Sequence, residues 1–319
     1  MIGWILRRIM VMVPVFLGTT VLMFVLLRLT PGDPALGRLD TSKGYTPEAL
    51  AAVRIDMGLD KPIPVQYVLW LGATLQGDLG FSFFSFRPVA VLLQERAWPT
   101  FILMGSALVA ALVVSIPSGI ISAIRQQSLV DYMTSVGVML TISVPSFFTG
   151  LLAIYVFAVK LKVLPFGGMH TPGQPTDAID LIYHLILPAS ILGLIMAGPI
   201  ARYTRSSMLE VLNSDYLVSA RAKGLREGTV IMLHAMPNAL IPIVAIIGIR
   251  IPSLIAGSVV IESIFSWPGM GQLMVIAFEF RDYPVLMGIL GVVASVVLAT
   301  SLLSDILYAF IDPRIRFGQ

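Results

Sequence analysis

Six stretches of this chain are long and apolar enough to cross a lipid bilayer, and they restrict its fold more than any other feature. They are Ile9–Leu29, Thr100–Ile124, Thr134–Val159, Ile182–Ile200, Leu233–Val260 and Val285–Ile311. A hydrocarbon core about 30 Å thick takes about 20 residues to cross as a helix. No water is available there to bond the backbone, so the segment must pair its own N–H and C=O groups. Composition agrees: 57% of the 319 residues are hydrophobic, 12% are charged and the mean hydropathy is +0.90. A soluble domain carries about 25% charged residues. The net charge of +3 comes from a few basic residues scattered between apolar runs, which reads as a topology signal rather than a nucleic-acid surface. The chain has no cysteine, which excludes disulfides, thiolate metal sites and a cysteine nucleophile.

The basic start and apolar run of MIGWILRRIMVMVPVFLGTTVLMFVLLRL resemble a signal peptide only in outline. The run is of span length and no small-x-small cleavage site follows, so it is expected to remain as the first membrane helix. Pro117, Pro145, Pro188, Pro242 and Pro252 fall inside spans, where each marks a structural kink or, alternatively, a moving hinge. With the N-terminus inside, the inner segments carry Arg7, Arg8, Arg125, Arg202, Arg205, Arg221, Lys223, Arg226, Arg314 and Arg316. The short outer loops carry only Lys160, Lys162 and Arg281. This asymmetry predicts an all-α integral membrane protein of six transmembrane helices with both termini in the cytoplasm. Residues 1–29 form the first helix and residues 30–99 an extracytoplasmic region. Residues 100–319 form a five-helix core, with a cytoplasmic loop at 201–232.

The extracytoplasmic region contains PGDP at Pro31–Pro34 and a Thr46-Pro-Glu helix-start pattern, with Gly58 placed as a stop. One or two short amphipathic helices are expected there. Trp70, Trp98, Phe81, Phe83, Phe84 and Phe86 suit a membrane interface.

Several motifs are missing. None of the lysines, Lys43, Lys61, Lys160, Lys162 and Lys223, is followed by Ser or Thr, so no GxxxxGK[ST] phosphate loop is present. HExxH and GxSxG are absent, and His170, His184 and His234 lie far apart along the chain. A transport chain of this kind must draw its energy from elsewhere.

One polar interruption stands out: SARAKGLREG, Ser219–Gly228, between the fourth and fifth spans on the predicted cytoplasmic side. Asn213, Ser214 and Asp215 favour a helix start. Tyr216, Leu217, Ala220 and Leu225 can share an apolar face away from Arg221, Lys223 and Arg226. Gly224 interrupts the helix and Gly228 ends it. A helix this short needs a support. It is either a basic loop that sets topology or an amphipathic plug for a groove on a partner.

This loop resembles the coupling loop of binding-protein-dependent ATP-binding-cassette importers, whose pattern is E-A-A-x-x-x-G followed later by I-x-L-P. Ala220, Gly224 and Pro237 match it; Val218, His234 and Met236 stand where the pattern has Glu, Ile and Leu. A resemblance to the dipeptide and oligopeptide permease family runs nearly end to end. It is carried by RRI at Arg7–Ile9, PGDP, GLDKP at Gly58–Pro62, GDLGFS at Gly77–Ser82, ILP at Ile186–Pro188 and TRSSMLEVLNSDY at Thr204–Tyr216. ARAKGL at Ala220–Leu225, FSWPGMG at Phe265–Gly271, RDYPV at Arg281–Val285 and DPRIR at Asp312–Arg316 complete it. The resemblance implies a type I importer permease without its own ATPase site, in a bacterial or archaeal cytoplasmic (inner) membrane. It implies a second homologous permease subunit, two ATP-binding-cassette ATPase domains that carry ATP and Mg, and an extracytoplasmic peptide-binding protein. No cofactor is expected on this chain.

By the same resemblance, Asp215, Tyr216, Leu217, Ala220, Arg221, Lys223, Gly224, Leu225 and Arg226 are expected to couple to the ATPases. Leu217, Ala220 and Leu225 would fill the groove and the basic residues would meet its rim. Phe265, Trp267, Pro268, Gly269 and Gly271 read as a re-entrant cap, or as an outer gate or binding-protein contact. Arg250, inside the fifth span, is either a structural arginine or a translocation-pathway residue that attracts a peptide carboxylate. Asp305, with Tyr308 nearby, is expected to bond a neighbouring helix. The expected cargo is short peptides. Nickel chelates, glutathione and oligosaccharide or opine cargo are the alternatives within the family. An ion-coupled secondary transporter is disfavoured because no inverted repeat is visible.

Overall fold

The computed structural model describes residues 2–30, 32–33, 35, 46–175 and 177–311. Pro31, Pro34 and the DPRIR segment lie outside the described residues, as does the Tyr308 side chain. In chain order the helices are α1 (Ile2–Leu29), α2 (Pro47–Asp56), α3 (Ile63–Leu75), α4 (Val89–Ile124), α5 (Leu129–Ser143) and α6 (Ser146–Ala153). They continue with α7 (Ala178–Leu212), α8 (Asp215–Ala222), α9 (Glu227–Thr229), α10 (Met236–Ile264), α11 (Met270–Glu279) and α12 (Tyr283–Ile311). Among the described residues there is no sheet, only one antiparallel bridge between Phe81 and Pro88. Five helices are long and apolar enough to cross a membrane, or six if the bent pair α5–α6 counts as one span.

That bend corrects the expected third span. Thr134–Val159 is not one kinked helix: α5 and α6 meet at 105°. Pro145 has no N–H, and its ring would meet the carbonyl of the preceding turn. It also drives Val144 out of the helical region, to φ −91° and ψ 124°. A π-helical stretch, Ile154–Lys160, follows α6.

Contacts divide the chain into two compact units. The first holds residues 1–100 and 268–298. Its core joins Val89, Leu92 and Leu93 of α4 to Leu273 of α11 and to Val285, Leu286 and Ile289 of α12. Where one or two short helices were expected between the first and second spans, two form, α2 and α3. Thr46 Oγ1 accepts from Ala49 N at 3.2 Å, Pro47 opens α2, and the chain turns at Gly58 with φ +65°. In α3, Tyr67 packs edge-on to Phe24 of α1 at 5.5 Å, and its hydroxyl lies 3.0 Å from Thr20 Oγ1. Trp98, Phe81, Phe84 and Phe86 are exposed, as interface aromatics should be, while Trp70 and Phe83 are half-buried.

GDLGFS and RDYPV, far apart in sequence, meet at a single carboxylate in this unit. Asp282 is buried and accepts from Ser82 Oγ, from Phe83 N at 3.0 Å and from Phe84 N at 3.3 Å. Phe84 stacks on Phe280 beside it.

The second unit holds residues 101–267 and 299–319. Helix α7 is central to it: 56% of its most apolar window is buried. Glycine lets α4 and α7 touch backbone to backbone. A Cβ on Gly193 would lie 2.7 Å from the Ala107 carbonyl, and one on Gly119 would lie 2.7 Å from that of Ala201. The fifth span begins earlier than expected, at Glu227, and runs through a π-helical stretch, Val230–Ala235, into α10. Gly228 therefore sits inside the first helical turn rather than ending α8.

Candidate functional site

The interruption between the fourth and fifth spans is a compact two-helix corner. Helix α7 ends at Leu212, Ser214 is the N-cap of α8, and α8 stops after eight residues. Gly224 then turns the chain at φ +79°, a conformation that costs glycine little and other residues about 1 kcal/mol or more. The expected start at Asn213–Asp215 and the break at Gly224 are both present.

The faces of α8 differ from the expectation. Leu217 is fully buried and Ala220 half-buried, packed into the chain's own cluster with Met208, Val230, Ala235 and Ala239. Leu217 anchors α8 in this cluster, and Ala220 packs beside it. Arg221 does not sit at a rim either. Its Nη2 donates to Glu227 Oε1 at 2.9 Å and its Nε to Oε2 at 3.1 Å, which staples the end of α8 to the start of the fifth span. The hydrogen-bonded Glu227 carboxylate raises the Arg221 pKa above its ordinary value. What remains exposed is Asp215, Tyr216, Val218, Lys223, Gly224, Leu225 and Arg226. The side chains of Lys223 and Arg226 make no hydrogen bond or ion pair among the described residues. The corner thus presents two free cations beside Tyr216, Val218 and Leu225, on an internally braced support.

An ion pair between a buried carboxylate and a half-buried guanidinium lies in the same unit. Asp131 of α5 accepts from Arg205 of α7 through both oxygens, at 2.8 and 3.0 Å. It also accepts from Ser122 Oγ of α4 at 2.5 Å and from Gln127 N at 3.0 Å. Three helices meet at one carboxylate whose hydrogen-bonding capacity is filled. In the sequence Arg205 is a topology charge and part of TRSSMLEVLNSDY, and nothing there pairs it with Asp131. The available signal was Ser128-Leu-Val-Asp131, a helix-capping pattern in which Ser128 Oγ accepts from Asp131 N at 3.3 Å. His170 and His184, distant in sequence, likewise converge on Asp180, with Nδ1–O distances of 3.2 and 3.4 Å.

Residues of the FSWPGMG segment fall in both units. In the second unit, Trp267 and Phe265 are buried to 0% and 1% exposure, and the Phe265 carbonyl accepts from Gly168 N at 2.7 Å. In the first unit, Gly269 and Gly271 are buried, Pro268 is half-buried, and Met270 N donates to Thr100 Oγ1 at 2.8 Å. An enclosed Trp267 is a packing residue and offers no adhesive surface. Arg250 is half-buried in α10 and makes no hydrogen bond or ion pair among the described residues, so no carbonyl or carboxylate there holds it as a structural arginine would be held.

This is the architecture of a polytopic helical membrane subunit with a braced polar corner. The comparisons with known proteins define which. Residues 115–317 match the family described as "Binding-protein-dependent transport system inner membrane component", and residues 1–103 match its N-terminal companion. A Brucella suis protein whose name describes a peptide permease is 46% identical over 99% of both chains. The oligopeptide transport system permease protein AppB of Bacillus subtilis is 42% identical over 99% of this chain and 100% of its own. Among solved structures, the inward-facing MetNI methionine ABC transporter aligns with a TM-score of 0.56 at 18% identity. It covers 70% of this chain and 97% of its own, a likeness of fold. The chain belongs to the binding-protein-dependent transport system inner membrane components and is a multi-pass protein of the inner membrane.

Proposed function

We propose that this chain is one permease subunit of an ATP-driven importer that moves short peptides across the cytoplasmic membrane. End-to-end identity with proteins named as peptide permeases carries the reading. The subunit spans the membrane six times with both termini inside, which the bias of Arg and Lys toward the N-terminal, α7–α8 and C-terminal segments supports. It pairs with a second homologous permease. Two ATPase domains bind ATP and Mg and hydrolyse the nucleotide, and an extracytoplasmic protein delivers the peptide.

Coupling passes through the corner at α8. Tyr216, Val218, Lys223, Leu225 and Arg226 meet the ATPase, while Leu217, Ala220 and the Arg221–Glu227 staple keep α8 rigid against its own unit. The Asp131–Arg205 pair then ties α7, which leads into α8, to α4 and α5. Phe265 and Trp267 serve as a packed support at the end of the fifth span.

Competition for uptake tests the cargo. Purified importer in vesicles, loaded with labelled dipeptide, is challenged with unlabelled tripeptides, glutathione, nickel chelates and oligosaccharides. Peptides should compete most strongly; uptake displaced by an oligosaccharide or nickel chelate but not by peptides would reassign the cargo and leave the importer class intact.

A further inference from the structure

The last turn of α1 holds a cation that the transport reading does not use. Arg28 lies 5.1 Å from the Phe24 ring centroid and 5.3 Å from that of Tyr283, held by two aromatic faces. Among the described residues it makes no hydrogen bond or ion pair, and its Nη1 is buried with no acceptor. Buried donors are rarely left so. Two cavities, of about 330 and 630 Å³, share Arg28, Gln66 and Tyr283 as walls. The acidic residues that line them are otherwise placed: Asp33 accepts from Arg54 Nε at 2.7 Å, Asp56 has another interaction, and Asp60 is exposed.

Gln66 carries the complementary deficit. Its Nε2 donates to the Lys61 carbonyl at 2.7 Å, but its Oε1 is buried with no donor. A ligand that satisfied both residues would offer an anion to Arg28 and an N–H or O–H to Gln66. Depth narrows the choice. The apolar span Leu6–Leu29 has 24 residues, about 36 Å at 1.5 Å each, against a hydrocarbon core of about 30 Å. Arg28 therefore sits at headgroup level. Trp70 lines the smaller cavity together with Arg28, and Leu27, Leu69 and Met287 give it an apolar wall.

We propose that the carboxyl end of α1 binds one phospholipid of the adjacent leaflet, with Arg28 on its phosphodiester and Gln66 Oε1 accepting from a donor on its headgroup. This rests on α1 spanning the membrane and not on the cargo. Phosphatidylglycerol and phosphatidylethanolamine carry the required hydroxyl or ammonium donor; phosphatidylcholine carries none.

Native mass spectrometry of the intact importer, titrated with each of these three lipids, tests it. Phosphatidylglycerol and phosphatidylethanolamine should be retained about tenfold more tightly than phosphatidylcholine, the size of one hydrogen bond. Arg28→Gln should abolish the retention. Gln66→Leu should keep phosphate-dependent binding but erase the preference over phosphatidylcholine. Arg87→Gln, which removes an exposed ion pair with Glu95 in the same unit, should change nothing. Equal retention of all three lipids by the wild-type protein, or unchanged retention by Arg28→Gln, would overturn the proposal. So would displacement of the lipid by millimolar inorganic phosphate, which would make this a free-anion site.

Discussion

Asp282 shows how much of this protein hangs on single buried acceptors. It satisfies a serine hydroxyl and two backbone N–H groups while itself 3% exposed. Asp282→Ala would strand those donors at about 1–3 kcal/mol each, so the purified protein should melt at clearly lower temperature; an unchanged melt would mean water replaces the carboxylate without loss. Arg250 makes the opposite case, a cation in a span with no acceptor among the described residues. If it draws peptide carboxylates along the path, Arg250→Gln should slow uptake of free-acid peptides and leave peptides with amidated C-termini unaffected. Equal slowing of both would assign Arg250 to structure. GDLGFS and RDYPV were legible as motifs, but not as partners, because a contact spanning the chain leaves no local period to read. Asp131 and Arg205 were illegible as a pair for the same reason.

At the scale of elements, local chemistry was the better guide. The Thr46 cap, the Gly58 turn, the start of α8 and the Gly224 break all follow from nearest-neighbour sterics and hydrogen bonding, and all are present. Periodicity misled where several faces were possible. Leu217, Ala220 and Leu225 can be drawn on one apolar face, yet Leu217 points home and Leu225 points out, because Gly224 separates them and resets the helix direction. The two kinds of residue should fail differently. Leu217→Ala empties a site in the chain's own core and should cost about 2–5 kcal/mol of stability. Lys223→Glu with Arg226→Glu should leave stability and membrane insertion intact but lose ATPase from the purified assembly. Retention of ATPase by the double variant would place the docking surface elsewhere.

For the whole molecule, hydropathy indicated the long apolar helices but not their shapes. A window of apolar residues cannot report the 105° break at Pro145, since proline in a span is compatible with a kink or with a full reversal of direction. Nor can it report that α7 is largely enveloped by neighbours while α1 is largely exposed, because both are apolar over the length of a span. The absence of cysteine makes the topology directly measurable: single cysteines introduced at positions 3, 85 and 223 should react with an impermeant reagent only from outside at 85, and from the inside at the other two. Labelling of position 223 from outside would invert the orientation.

In the proposed importer, energy from the partner ATPases enters this chain at the corner after α8. Gly224→Trp probes that step: a Cβ at Gly224 meets nothing within 4 Å, so the added bulk projects away from the chain, at a backbone cost of about 1 kcal/mol or more for leaving glycine at φ +79°. The decisive measurement is the ratio of peptide molecules taken up to ATP hydrolysed, in vesicles containing the complete importer. The account predicts that Gly224→Trp is inserted normally and hydrolyses ATP, but that its uptake falls toward background. Uptake per ATP equal to that of the unaltered protein would contradict it.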